Sequence, residues 1–168
     1  MTQLLSLFVE NKSGVLARVV GLFSQRGYNI ETLNVAPTED PTISLITLST
    51  TTDQRGTEQV IKQINKLIEV LKVVPFDPII HVAREMSLVR VRVSESNRLE
   101  IIEISKSFRA RVLDSNAQSC IFEMTEQPKK IDSFLQKMRA YGVLEIHRTG
   151  RLSLGRCNIE KKKDRFEA

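Results

Sequence analysis

Short apolar runs of strand length alternate along this chain with apolar stripes at helical spacing, and the alternation occurs twice. Gln3 to Glu10 (QLLSLFVE) is an apolar stretch that stops at the turn-forming set Asn11, Lys12, Ser13 and Gly14. Val15, Leu16, Val19, Val20, Leu22 and Phe23 then recur on one face at the 3.6-residue period, and Gly27 closes the helix they predict. Tyr28 to Pro37 and Thr42 to Thr51 are rich in β-branched residues and are separated by Thr38, Glu39, Asp40 and Pro41, which reads as a hairpin. Val60, Ile61, Ile64, Leu67 and Ile68 mark a second amphipathic helix that starts near Gly56 or Thr57, after a turn over Asp53 to Gly56. Val70 to Phe76 is the last strand of a βαββαβ order.

Pro75, Asp77 and Pro78 interrupt the pattern and place a boundary there, with a linker reaching Arg84. Beyond it Glu85 to Val93 alternates apolar and charged residues, and Asn97 to Phe108 has helical period. Arg109 to Asp114 and Gln118 to Thr125 form a strand pair. Ile131, Phe134, Leu135, Met138 and Tyr141 stripe a fourth helix, and Val143 to Arg148 is a final strand. The second copy is looser than the first. Together they predict an α/β (α+β sandwich) chain of two consecutive ferredoxin-like βαββαβ domains, each a sheet with both helices on one face.

Composition narrows what such a chain can do. At 168 residues, 41% hydrophobic and 27% charged, it is a folded globular protein of one ordinary domain or two small ones. No apolar run approaches the ~20 residues that cross a bilayer, and Thr2 and Gln3 do not begin a secretory leader, so a cytoplasmic protein is expected. Cys120 and Cys157 lack paired metal or redox spacing, and His81 and His147 have no acid or cysteine cluster beside them. No metal site is indicated, and no nucleophile stands at a readable spacing from a base. The net charge of +5 gathers in Arg156, Lys161, Lys162, Lys163 and Arg165, a basic tail. RNA binding, which this topology also serves, needs aromatic residues on the strands, and Thr42 to Thr51 has none. A sandwich of ~75 residues buries only about 60% of its unfolded surface, so extra burial through self-association is expected.

The first loop is the most informative segment for chemistry. Asn11, Lys12, Ser13 and Gly14 join a strand directly to a helix N-terminus, whose N–H groups lack intrahelical partners and carry partial positive charge. Gly14 permits close backbone approach, and the Asn11 amide can meet a donor or an acceptor. The carboxylate and ammonium of an amino acid suit that arrangement. Equally, Ser13 or Asn11 is simply an N-cap.

Val9 to Leu33 (VENKSGVLARVVGLFSQRGYNIETL) closely resembles the ACT-domain signature of the acetolactate synthase (acetohydroxyacid synthase) small, regulatory subunits. Val35-Ala36-Pro37-Thr38 before Asp40-Pro41-Thr42 continues the resemblance. Arg84-Glu85, Phe108-Arg109-Ala110 and Arg148-Thr149-Gly150-Arg151 extend it through the second half. Glu126 and Cys157 depart from it, each standing where the family commonly has glycine, and the tail is richer in lysine.

The resemblance implies an ACT domain over 1–78 that binds effector and dimerises, a linker over 79–84, a second ferredoxin-like domain over 85–155 and a basic tail over 156–168. It implies a non-catalytic subunit of branched-chain amino acid biosynthesis that activates a large catalytic subunit and mediates feedback inhibition by valine. Thiamine diphosphate, magnesium and FAD are then expected in that catalytic partner and no cofactor in this chain. The family pairs two ACT domains side by side with effector at their interface. Carried over by matching motif, Asn11, Ser13, Gly14, Val15 and Leu16 of one protomer face Asn29 and Ile30 of the other, and nucleic acid and membrane are not partners. The alternative is a free-standing ACT-domain amino-acid sensor with another client protein.

Overall fold

The computed structural model describes residues Thr2 to Cys157, and within them the βαββαβ order occurs twice. The first copy runs β1 (Thr2–Glu10), α1 (Val15–Gln25), β2 (Ile30–Pro37), β3 (Ile43–Thr51), α2 (Gln54–Ile64) and β4 (Val70–Pro75). The second runs β5 (His81–Arg92), α3 (Arg98–Ser107), β6 (Arg111–Ser115), β7 (Ser119–Glu126), α4 (Pro128–Met138) and β8 (Val143–Gly155). Each copy forms its own four-stranded sheet, in the orders β2-β3-β1-β4 and β6-β7-β5-β8. Of the basic tail, residues from 158 onward lie outside the described residues.

Two compact units result, one holding residues 2–31, 35–83 and 152–157, the other 84–151 with 32–34. In the first, β1 pairs antiparallel with β3 from Thr2 opposite Thr51 to Glu10 opposite Ile43. The two-residue period of β1 turns Leu5, Leu7 and Val9 to one face, where they meet Ile46 and Leu48 of β3. Val15, Val19 and Phe23 of α1 and Val60 and Ile64 of α2 cover the same face, so both helices lie on one side of the sheet. Leu16 and Val20, also on the predicted stripe of α1, stay exposed.

The second core is built alike. Val89 and Val91 of β5 and Phe122 and Met124 of β7 pack under Ile101 of α3 and Ile131, Phe134, Leu135 and Met138 of α4. Phe122 meets Phe134 edge-on at 6.0 Å between ring centroids. Both sandwiches therefore have the expected ferredoxin-like topology. Among the described residues no helix is long and apolar enough to cross a membrane, and both cysteines are free, Cys120 buried and Cys157 exposed.

Candidate functional site

At the end of β1 the chain is strapped to the β2–β3 hairpin before it enters α1. The Asn11 N–H donates to the Thr42 carbonyl at 2.7 Å, and Asn11 Nδ2 donates to the Pro41 carbonyl at 2.9 Å. The hairpin is itself fixed by Asp40, whose Oδ1 accepts from the Thr42 N–H at 2.8 Å and the Thr42 hydroxyl at 2.6 Å. These donors hold the Asp40 carboxyl below the usual carboxylate range, the Thr42 hydroxyl contributing most. A depressed carboxyl favours the ionised folded form above the ordinary value and loses that contribution only as pH falls through the lower, folded-state value. In an NMR titration the Thr42 and Asn11 amide signals should therefore stay in place through the ordinary carboxylate range near pH ~4 and move only below it. A transition centred on the ordinary value contradicts the Asp40 turn.

Gly14 is the N-cap of α1 at φ 83° and ψ −8°, in the left-handed region that suits a residue without a Cβ. Its carbonyl accepts from the Arg18 N–H at 3.0 Å, but no side chain caps the helix. Neither Ser13 nor Asn11 acts as the N-cap that the sequence left open. The Val15 N–H reaches only the Lys12 carbonyl, at 3.3 Å, and Leu16 and Ala17 follow within the first turn, whose N–H groups have no carbonyl one turn back. Asn11, Ser13, Gly14 and Leu16 are exposed, whereas the Val15 side chain is buried in the core. Val15 thus offers the tip only its backbone.

Asn29 and Ile30 lie elsewhere. The Asn29 carbonyl accepts from the Thr50 hydroxyl at 2.6 Å, and Thr50 sits opposite Gln3 near the start of β1. The Asn11 loop follows Glu10 at the other end of that strand. Seven residues at ~3.3 Å each separate the ends by about 23 Å. One chain therefore brings Asn11, Ser13, Gly14, Val15 and Leu16 together and keeps Asn29 and Ile30 apart from them. Asn29 Nδ2 donates to Glu31 Oε1 at 2.9 Å, and Ile30 is half-buried against the core.

Two contributors at the tip escaped the sequence reading. Asp40 fixes the hairpin that holds Asn11, and Arg18 folds its guanidinium back to within 3.3 Å of where a Gly14 Cβ would stand. The second was signalled by its spacing, since residues four apart on a helix are neighbours and side chains lean toward the N-terminus. Away from the tip, a shallow depression of about 160 Å³ is lined by Leu88, Val89, Arg90, Ile121, Glu145 and His147. Its polar groups pair with one another, His147 Nε2 lying 2.8 Å and Arg90 Nη1 3.3 Å from Glu145 oxygens. Among the described residues no group of three or more His, Cys, Asp or Glu is placed to hold a metal.

Comparison with known proteins gives two family matches. The AHAS small subunit-like ACT domain matches residues 5–72, and the small subunit of acetolactate synthase family matches residues 84–157. A probable acetolactate synthase small subunit of Archaeoglobus fulgidus is 44% identical over 158 residues, covering 94% of this chain and 99% of that one. The chain belongs to the acetolactate synthase small-subunit family. The isozyme 3 small subunit of Escherichia coli K12 is 41% identical over 157 residues, 93% of this chain and 96% of its own. The crystal structure of the small subunit from Thermotoga maritima superposes with a TM-score of 0.87 at 35% identity, covering 95% of this chain and 99% of that one. As a small subunit this chain has a catalytic subunit for a partner, and its first βαββαβ copy carries the ACT domain.

Proposed function

We propose that this chain regulates acetolactate synthase in branched-chain amino acid biosynthesis: it raises the activity of the catalytic subunit and confers feedback inhibition by valine. The observation that carries the reading is the divided site, an uncapped helix tip at Gly14 and an asparagine, Asn29, at the far end of the same sheet. Two copies pairing through their ACT domains, over 1–78, bring the tip of one to Asn29 and Ile30 of the other. Valine lies between them. Its carboxylate accepts from the N–H groups at Gly14 to Leu16, where the helix end favours negative charge. Its ammonium meets the Oδ1 atoms of Asn11 and Asn29, whose Nδ2 groups already donate within their own chain.

The aliphatic group rests on exposed Leu16 and on Ile30 of the second copy, with the Val15 side chain left to the core. Burying a valine-sized side chain contributes roughly 1.5–3 kcal/mol, which with the polar contacts supports binding in the micromolar to millimolar range. A coupling of about 1–3 kcal/mol between that interface and the catalytic partner changes a linked affinity 5- to 150-fold. Thiamine diphosphate, magnesium and FAD belong to the partner, and the chemistry is carried out there.

The test is reconstitution of this chain with an acetolactate synthase catalytic subunit, assayed with and without valine. Stimulation by the chain and its reversal by valine are expected. Absence of stimulation favours a sensor with another client. Separately, residues 1–78 alone are expected to sediment as a dimer, and a monomer at every concentration removes the shared interface.

A further inference from the structure

Arg18 stands where a cation costs its own helix stability. It occupies the fourth position of α1 and reaches back one turn, so that Nη1 lies 3.3 Å and Cζ 3.9 Å from the place a Gly14 Cβ would take. That guanidinium adds to the partial positive charge of a helix end whose first turn holds no acidic residue. Its counter-ion comes from outside the helix. Glu69 Oε1 lies 2.7 Å from Arg18 Nη2, and the Glu69 carbonyl accepts the Glu10 N–H at 2.9 Å, just before β4 begins. Glu69 therefore joins the helix tip to the end of β1. Both side chains remain open to solvent, at 48% for Arg18 and 22% for Glu69. The Glu69 pair engages the guanidinium at Nη2, while Nη1 is turned toward the tip.

We infer that Arg18 is a specificity-determining residue of the effector site, taking the effector's carboxylate on its guanidinium, and that Glu69 is the built-in competitor for that group. The inference rests on the reading of the tip as an amino-acid site. A planar guanidinium suits a carboxylate in a way that backbone N–H groups alone do not, and it selects ligands whose carboxyl is free and ionised. Because one guanidinium serves two carboxylates, effector binding and loss of the Glu69 pair become one event. That event releases the residue through which the helix tip is tied to β1, which gives the ligand a differential contact between two arrangements of the unit.

Opposite signs make the competition measurable. In the holoenzyme reconstituted from the full chain, Arg18→Gln should raise the valine concentration for half-inhibition roughly tenfold or more, as expected for losing a charged hydrogen-bond partner. Glu69→Gln should lower it about threefold, since an exposed ion pair competes only weakly. An ion pair that merely holds the fold is broken by either substitution, and both then shift sensitivity the same way. That result, or unchanged or reduced sensitivity in Glu69→Gln, overturns the inference. Where Arg18→Gln fails to fold, Glu69→Gln alone decides by the direction of its shift. Wild-type holoenzyme indifferent to valine refutes the effector reading itself and is thereby told apart from failure of the Arg18 role.

Discussion

Gly14→Asp is expected to abolish the response to valine. The new Cβ would stand 3.3 Å from Arg18 Nη1, on a backbone at φ 83°, and its carboxylate would lie among the donors proposed for the effector. An internal anion would then occupy the helix tip at an effective concentration no free metabolite reaches. Loss of the charged contacts alone, at about 1.5–3 kcal/mol, weakens binding roughly 10- to 150-fold, and charge repulsion adds to it. The assembled synthase carrying this variant should stay active at valine concentrations that fully inhibit the wild type. Circular dichroism of the variant subunit checks that it remains folded, which an exposed tip residue allows. Ordinary valine inhibition in a folded Gly14→Asp subunit would refute the assigned pocket.

The largest expected effect on stability lies in the second unit. Glu85 is 4% exposed and receives Arg148 in a two-pronged pair, Nε to Oε1 at 2.6 Å and Nη2 to Oε2 at 2.8 Å. Arg148 Nη1 continues to Asp132 Oδ1 at 2.7 Å, so one guanidinium links β5, β8 and α4. The Glu85 hydrogen bonds, and after them those of Asp132, hold Arg148 in its charged form more firmly than an ordinary arginine. Arg148→Ala leaves a buried carboxylate without its counter-charge and should cost about 3 kcal/mol, the low end for breaking a buried pair because the arginine is itself partly solvated. Asp132 is 59% exposed, and Asp132→Asn should cost less than about 1 kcal/mol. Urea unfolding of the two variants measures both. Equal midpoints would show that burial of Glu85 is not what gives the pair its weight.

Much of the fold was legible in the sequence because its elements announce themselves locally. β1 stops at Glu10 where the turn set begins, and the hairpin falls at Thr38 to Pro41 as read. Departures occur where a side chain, not a periodicity, decides the boundary. α2 begins at Gln54, before Gly56, because Asp53 accepts the Gly56 N–H at 2.7 Å and caps the helix there. It ends at Ile64, so Ile68, expected on its buried stripe, is 93% exposed. β5 starts at His81, four residues before Glu85: Asp77 accepts the Ile79 and His81 N–H groups in a tight turn, after which the chain is already extended. β8 continues to Gly155 although Gly150, at φ 80°, breaks the alternation that suggested an end at Arg148.

The site was legible to a different degree. The Asn11 to Gly14 loop stood out as a polar, glycine-ended turn leading into a helix N-terminus, a pattern that an ordinary N-cap also produces, and it was the resemblance that singled it out as a site. Asn29 and Ile30 entered only by resemblance, since nothing local ties residues at the opposite end of the sheet to that loop. Arg18 was signalled by its spacing from Gly14, but its pairing with Glu69 is one that only the folded chain brings about, and the Asp40 turn shows its bearing on the site only through the bonds from Asn11 to Thr42 and Pro41. Among the arginines of the second half, Arg90, Arg111 and Arg148 pair with Glu145, Glu123 and Glu85 of their own unit, partners that no local pattern in the sequence assigns to them.

Binding of an aliphatic amino acid between the Gly14 tip of one copy and Asn29 and Ile30 of the other is the claim on which the rest depends, and calorimetric titration of valine into the full-length chain tests it most directly. The account predicts saturable heat in the micromolar to millimolar range, at up to one valine per chain. No heat from valine at millimolar concentration, with the chain folded and dimeric, would contradict it.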